Sequence, residues 1–171
     1  AGQITGDGGL VKTGVGVLEV SNAANDYKGD TMVDSGTLRL KSGAGLGDGR
    51  LILRPATELA VSGSSTLNNA VEITGGKVNV AEASTLVLAS SLNVAADSAL
   101  RKEGAGTLTV RAKDGAIRGE AIIGAGTLRL ENDASIAASK RIVVGGAGSD
   151  KASTRLDVSQ LAQGLNIASN Q

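Results

Sequence analysis

The sequence contains no cysteine, histidine, phenylalanine or tryptophan. The absence of cysteine excludes disulfides, cysteine nucleophiles and thiolate metal sites. The absence of histidine removes the commonest acid–base group and the base of the usual serine triads. Because Tyr27 is the one aromatic residue, the core must be filled by leucine, valine, isoleucine and alanine rather than by rings. Such a core suits a narrow interior made of repeated small layers.

Net charge and long apolar runs are lacking as well. Seventeen lysines and arginines balance seventeen acidic residues, and neither sign forms a run, so we expect no nucleic-acid partner. No apolar stretch approaches the roughly 20 residues that a membrane-spanning helix needs. Residues 1–9 have neither a charged start nor an apolar run, so this chain is expected to carry no signal peptide. A mature secreted chain or an excised piece would both have this appearance.

What the sequence does contain is a series of short segments in which apolar and polar residues alternate. Period-two alternation predicts strands with one buried face, and glycine, serine, asparagine and aspartate separate the segments as turn formers. The best helical candidate, Val158–Gln163, is too short to be convincing. The sequence therefore predicts an all-β chain, with strands in the segments Val17–Val20, Thr37–Leu40, Glu58–Val61, Lys77–Val80, Thr85–Leu88, Thr107–Val110, Thr127–Leu130 and Arg155–Val158.

The spacing of these segments favours a β-solenoid over a sandwich. Equivalent apolar residues recur about every 20 positions, whereas sandwich strands follow one another at 8–12 residues through hairpins. We expect Leu18, Leu38, Leu59 and Val78 to stack as one internal column. The whole chain would then form about eight coils of roughly 20 residues, in a rod on the order of 40 Å long. An insertion at Gly145–Ala152 would lengthen one late coil, which solenoids tolerate.

The segment Leu10–Leu40 recurs without a gap as Leu100–Leu130. Of the 31 aligned positions 12 are identical, and most are glycines or strand-type apolar residues, which points to a repeated backbone path rather than to an active site. The identical positions are Leu10, Lys12, Gly14, Gly16, Leu18, Val20, Gly29, Gly36, Thr37, Leu38, Arg39 and Leu40 with their partners ninety residues later.

The first of these segments resembles the autotransporter-associated β-strand repeat, also called the passenger-associated transport repeat. The second segment is a weaker copy, with Ile117 where the family has an aromatic residue and Ala121 in place of threonine. The residues that carry the resemblance are Lys12, Thr13, Gly14, Gly16, Leu18, Asn25, Tyr27, Gly29, Thr31, Val33, Gly36, Thr37 and Leu38 in the first copy, and Lys102, Gly104, Gly106, Thr107, Leu108, Gly119, Gly126, Thr127 and Leu128 in the second.

The resemblance implies a right-handed parallel β-helix in the passenger of a secreted or surface-attached bacterial protein. Residues 1–171 would be one β-helix segment of a larger passenger, with repeat copies at about 9–40 and 100–130. Its partners would be flanking passenger domains and a translocator barrel in the same polypeptide, together with a host surface or glycan. A translocator has aromatic girdles, which a chain without Phe or Trp does not supply. Uncapped ends would also expose strand edges, which favours edge-to-edge self-association.

Several short motifs suggest chemistry but have a simpler structural interpretation. The pairs Gly14/Gly16, Gly104/Gly106 and Gly124/Gly126 resemble parts of a nucleotide loop, yet they lead into strands and not into a helix, so we interpret them as turns. The segment Gly145–Asp150 matches part of a calcium-binding nonapeptide, but such a site needs several stacked copies. We interpret it as a loop.

Charged residues offer no catalytic constellation either. Lys28-Gly29-Asp30 resembles a receptor-binding tripeptide, but its recurrence as Arg118-Gly119-Glu120 favours a turn with a solvated charge pair. Arg39 and Arg129 should point outward, and Glu19 should lie one coil from Arg39 as a weak surface ion pair. Asp26, Asp30 and Asp34 are scattered through a turn-rich stretch. We predict no catalytic, cofactor or metal site.

The sequence thus predicts a non-enzymatic stalk segment that spaces and displays other modules and aids export across the outer membrane. The first alternative is an adhesin or glycan-binding surface on the β-helix, formed by a strand face and the loop at Gly145–Ala152. The second is a fragment of a β-helical polysaccharide-degrading enzyme, which would need clustered carboxylates on one face.

Overall fold

Alternating apolar residues form short strands in this chain, and the strands stack in parallel into three sheets. The structure is a computed structural model that describes residues 2–111, 116–132, 134, 136, 138–145, 154–161 and 165. Among these residues there is no helix, and every pair of neighbouring strands runs parallel. The predicted all-β parallel solenoid is confirmed.

Each lap of the chain contributes strands to sheets that run the length of the stack. Sheet I has six strands: β1 (Leu10–Lys12), β3 (Thr31–Val33), β5 (Leu51–Leu53), β8 (Val71–Ile73), β11 (Leu92–Val94) and β14 (Ala116–Ile117). Sheet II has seven: β2 (Val17–Val20), β4 (Thr37–Lys41), β6 (Glu58–Ser62), β9 (Lys77–Val80), β12 (Ala99–Glu103), β15 (Glu120–Ile123) and β17 (Arg141–Val144). Sheet III has five: β7 (Ser65–Leu67), β10 (Thr85–Leu88), β13 (Thr107–Val110), β16 (Thr127–Asn132) and β18 (Arg155–Leu161).

The core is a set of aliphatic columns that run along the stack. In sheet II, Leu18 pairs with Leu38, Leu38 with Leu59, and Leu59 with Val78, as predicted. Leu38 and Leu59 are completely buried. Similar columns line the other two sheets, so each new lap covers the apolar layer left by the previous one.

The number of coils differs from the predicted number. The described strands make about six turns, whereas about eight coils were expected for the whole chain. Some laps are longer than the period expected from the sequence. The lap that joins Val78 to its partner Lys102 is one of these longer laps. The lap from Leu128 to its partner Leu156 is longer still, and the pairing of β16 with β18 contains a register shift. This last lap agrees with the predicted insertion, although residues 146–152 lie outside the described residues.

Polar side chains close one corner of the first laps. Tyr27 is 3% exposed, and its hydroxyl shares a hydrogen bond with the hydroxyl of Thr31. Asn25 connects three successive laps: its amide donates to the carbonyl oxygen of Gly45 at 2.8 Å and its Oδ1 accepts from the Ile4 N–H at 2.9 Å. These bonds satisfy backbone groups that have no strand partner at the corner.

Truncation of a column residue should weaken the whole stack. We expect Leu59→Ala to lower the free energy of unfolding by about 2–5 kcal/mol, because a fully buried leucine leaves a cavity when it is shortened. The control is Val15→Ala, whose side chain is 94% exposed and should change stability by less than about 0.5 kcal/mol. Urea unfolding followed by circular dichroism measures both variants. Equal effects of the two substitutions would contradict the proposed core.

Candidate functional site: the lysine-clamped corner

The two copies of the repeat occupy different corners of the solenoid. In the first copy β1 and β3 belong to sheet I, and β2 and β4 to sheet II. In the second copy β12 and β15 belong to sheet II, and β13 and β16 to sheet III. Over the ninety residues that separate the two copies, the chain therefore completes four laps and then moves on to the next sheet. Each repeat is longer than a lap because it contains one corner twice, in two successive laps.

The backbone of the two corners is the same in detail. In the first copy the Lys12 carbonyl oxygen accepts from the N–H groups of Asp34 at 2.9 Å and Ser35 at 3.3 Å. In the second copy the Lys102 carbonyl oxygen accepts from Gly124 and Ala125 at the same two distances. The repeated sequence thus encodes a corner that joins a lap to the lap that follows it.

The lysine side chain fastens this corner from inside. Lys12 Nζ donates to the carbonyl oxygens of Thr13 at 2.8 Å, Gly14 at 2.6 Å and Ser35 at 3.0 Å. The first two acceptors belong to the turn that follows the lysine, and the third belongs to the next lap. One ammonium group therefore holds two laps together.

The second corner repeats this arrangement. Lys102 Nζ donates to the carbonyl oxygens of Glu103 at 2.7 Å, Gly104 at 2.7 Å and Ala125 at 3.1 Å. We call each set of three carbonyl oxygens a carbonyl cage: the first is formed by Thr13, Gly14 and Ser35, and the second by Glu103, Gly104 and Ala125.

Both lysines stand at core positions. Lys102 lies in the column of sheet II between Val78 and Ile123 and is completely buried, and Lys12 is 7% exposed. The aliphatic stem fills the place of a leucine or valine while the ammonium group reaches the corner. Burial lowers the pKa of Lys102 to about 8, so the side chain is still mainly protonated at neutral pH.

Glycine is required where the two laps meet. Gly36 has φ +75°, and a Cβ there would lie 2.4 Å from the Gly14 oxygen and 2.5 Å from the Gly16 oxygen. Gly126 has φ +67°, and a Cβ there would lie 2.3 Å from the Gly106 oxygen. Any side chain at these two positions would push the laps apart as well as strain the backbone.

The second copy replaces a polar pair of the first copy by an apolar pair. Tyr27 and Thr31 share a hydrogen bond between their hydroxyls, and the equivalent residues Ile117 and Ala121 are both buried. Because both partners change together, neither hydroxyl is left buried without a partner. The departure from the family pattern therefore leaves the corner intact.

The glycine pairs and charged tripeptides singled out in the sequence have structural roles in the solenoid. Gly14/Gly16, Gly104/Gly106 and Gly124/Gly126 lie in turns that lead into strands. In the first tripeptide, Lys28 pairs with Asp48 at 2.7 Å and Asp30 with Arg50 at 2.8 Å. The charges thus pair with the next lap and not with each other, which differs from the predicted local charge pair.

Ion pairs join successive laps along the surface. Arg50 contacts Asp30 on one side and Glu72 at 3.3 Å on the other, and its hydrogen bonds lower the pKa of Asp30. The predicted pair of Arg39 with Glu19 is present, with 3.9 Å between the charged atoms. Such exposed pairs contribute little free energy individually.

Asp157 anchors the last described strand. Its carboxylate accepts from the hydroxyl of Ser159 at 2.7 Å and the N–H of Ser159 at 3.1 Å, and it lies 3.1 Å from Arg129. The Ser159 hydroxyl and N–H, followed by Arg129, lower the pKa of Asp157 to about 2. Arg129, which was predicted to point outward, therefore forms an ion pair with Asp157 of the next lap.

The structure provides no group of three metal-binding side chains within its described residues. The calcium-like segment at Gly145–Asp150 lies outside them except for Gly145. In the same part of the chain, no helix has the length and apolar character needed to cross a membrane. Asp30 and Asp34 lie in ion pairs with Arg50 and Arg54 of the next lap.

Three alanine substitutions in one corner should separate the two reasons for glycine, which are a positive φ and the lack of space for a Cβ atom. Gly16 has open space around it, Gly14 has positive φ and open space, and Gly36 has both positive φ and close neighbours. We expect Gly16→Ala to change the free energy of unfolding by less than about 0.5 kcal/mol and Gly14→Ala to lower it by roughly 1–2 kcal/mol. Gly36→Ala should cost more than either. Chemical denaturation gives the order, and a loss for Gly36→Ala no greater than for Gly14→Ala would contradict the close approach of the laps.

The buried Lys102 should make stability depend on pH. Its pKa is about 8 in the folded chain and near 10.4 when unfolded. Between these values the unfolded chain binds more protons, so this group makes the folded state more stable as the pH rises from 8 to about 10.5. The difference in urea midpoint between wild type and Lys102→Met should therefore grow across this range. A difference that stays constant with pH would contradict the buried position of the ammonium group.

Comparison with known proteins agrees with the geometry of the corners. The sequence profile of the family described as passenger-associated-transport-repeat matches residues 10–40 and 100–130, which are the two segments that form the clamped corners. No solved structure matches the chain.

A curated relative points to the same class of protein. The adhesin BmaC autotransporter of Brucella suis biovar 1 (strain 1330) is 33% identical over 131 residues, which are 75% of this chain and 4% of that relative. The chain thus spans a small part of the length of this relative. Both comparisons point to the passenger region of an autotransporter, and they support a location at the bacterial outer membrane or outside the cell. The chain carries two passenger-associated transport repeats, and each of them forms a lysine-clamped corner of the solenoid.

Proposed function

We propose that this segment is a structural stalk that spaces and displays other modules of the passenger and aids its export. The observation that carries the proposal is the continuity of sheet II, whose seven strands run through both clamped corners. At about 4.8 Å per strand step, this sheet spans roughly 29 Å along the stack. Aliphatic columns, ion pairs between laps and ammonium clamps all act along the same axis, which makes the segment stiff in the direction in which a stalk carries load.

The same contacts support a role in export. Each completed lap presents a strand edge and an apolar layer on which the next lap can fold. Folding outside the cell would bury these surfaces and oppose backward movement of the chain. The described carboxylates that lie in ion pairs serve the joining of laps, and we assign them no catalytic role.

Surface display tests the proposal. The segment is placed in an autotransporter with an epitope on its amino-terminal side, and intact cells are labelled with antibody. We expect the variant Gly36→Val/Gly126→Val to lose most of the surface signal because neither corner can close. Val15→Ala, at an exposed turn position, is the matched control and should display normally. Whole-cell blots confirm equal synthesis of the variants. Loss of folding in the double valine variant is checked on the isolated segment, which should no longer unfold cooperatively. Full surface display of a variant that is unfolded by this measure would overturn the role in export.

Stalk behaviour is tested by replacing residues 10–130 with a flexible glycine–serine linker of equal length. The distance from an amino-terminal fluorophore to a membrane dye should have a narrow distribution with the native segment and a broad one with the linker. Equal breadth in the two proteins would overturn the stalk role.

A further inference from the structure

The carbonyl cages at the two corners are built by the backbone. In each cage the three oxygens come from a turn of one lap and from the next lap, and the turn is set by glycines with positive φ, Gly14 and Gly36 in the first cage and Gly104 and Gly126 in the second. Three partial negative charges converge on one partly buried point, where they repel one another unless a cation lies between them. Among the described residues, the acceptors that contact either ammonium group are all backbone carbonyl oxygens.

We propose that each cage is a binding site for a primary ammonium ion, and that the lysine side chain is its built-in ligand. An ammonium group has three N–H donors on one atom, which matches three acceptors that face one point. The guanidinium group of arginine is a planar fork and does not match this arrangement. Methionine fills the same channel as the lysine stem but donates no hydrogen bond.

The occurrence of the site twice separates it from accidental packing. Corresponding donor–acceptor distances in the first and second cages are nearly equal, at 2.8 and 2.7 Å, 2.6 and 2.7 Å, and 3.0 and 3.1 Å. The two cages nevertheless lie between different pairs of sheets. Burial lowers the pKa of Lys102, and the nearby charge of Glu103 acts in the opposite direction and favours the protonated form. The cage is therefore a property of the corner sequence and not of one position in the stack.

The proposal predicts that a free ion can replace the missing side chain. Lys102→Ala removes four groups, Cγ, Cδ, Cε and Nζ, and n-propylammonium supplies the same three carbons and one nitrogen. We expect this ion to raise the urea midpoint of Lys102→Ala with a saturating concentration dependence. At equal concentration, 1-propanol and propyltrimethylammonium should not do so, because the alcohol carries no charge and the quaternary ion donates no hydrogen bond.

Leu100→Ala is the matched control. Leu100 is completely buried two residues before Lys102 on the same face of β12, so its truncation opens an apolar space without a cage. n-Propylammonium should leave the midpoint of this variant unchanged. Equal rescue of Lys102→Ala by propanol, or equal rescue of the leucine variant by the ion, would overturn the site by showing that any filler of a cavity suffices.

Lys102→Met keeps the proposal testable if the alanine variant does not fold. It should unfold at a lower urea concentration than wild type at pH 7, since the stem volume is retained while the three carbonyls lose their donor. Lys12→Ala, at the first corner, should respond to n-propylammonium in the same way as Lys102→Ala. A methionine variant as stable as wild type, or no response of Lys12→Ala to the ion, would overturn the proposal.

Discussion

The structure depends on the close approach of two successive laps at each corner of the solenoid. Along the strands, the hydrogen bonds between parallel strands and the aliphatic columns join the laps, and ordinary strand residues are sufficient for this. At the corners the chain turns, strand partners are lost, and carbonyl oxygens of neighbouring laps point toward one another. The repeat solves this problem with a glycine at the contact and an ammonium group inside it, as at Gly36 and Lys12. The same solution recurs at Gly126 and Lys102.

The length of the repeat follows from this role. A unit that only propagated the sheets would be one lap long, whereas this unit must specify both halves of a contact. Its first half supplies the lysine and the turn, and its second half supplies the glycine and the third carbonyl oxygen. Because ninety residues equal four laps and one further sheet, the second clamp joins sheets II and III while the first joins sheets I and II. The two clamps therefore support different sides of the same rod.

Most of the fold was predictable from the sequence, because the period of two and the regular spacing of the apolar segments reflect backbone geometry. The column of Leu18, Leu38 and Leu59 needed no other information. The described strands make fewer laps than were expected for the whole chain. The long lap from Val78 to Lys102 was not predicted, since an insertion at a corner leaves no regular signal. The buried lysines were missed although a signal existed: Lys102 lies two residues after Leu100, and alternation puts both on the inner face. A lysine is usually interpreted as solvated, and its position is explained by carbonyl oxygens that converge from its own turn and from the next lap.

The most direct test of this account is nuclear magnetic resonance of the lysine ammonium groups in ¹⁵N-labelled protein at neutral pH. The account predicts ammonium signals for Lys12 and Lys102 that exchange slowly with water. It also predicts nuclear Overhauser contacts from each group to glycines of two laps, Gly14 with Gly36 and Gly104 with Gly126. Rapid exchange of all lysine ammonium protons, or contacts confined to one lap, would contradict the claim that buried ammonium groups join the laps of this solenoid.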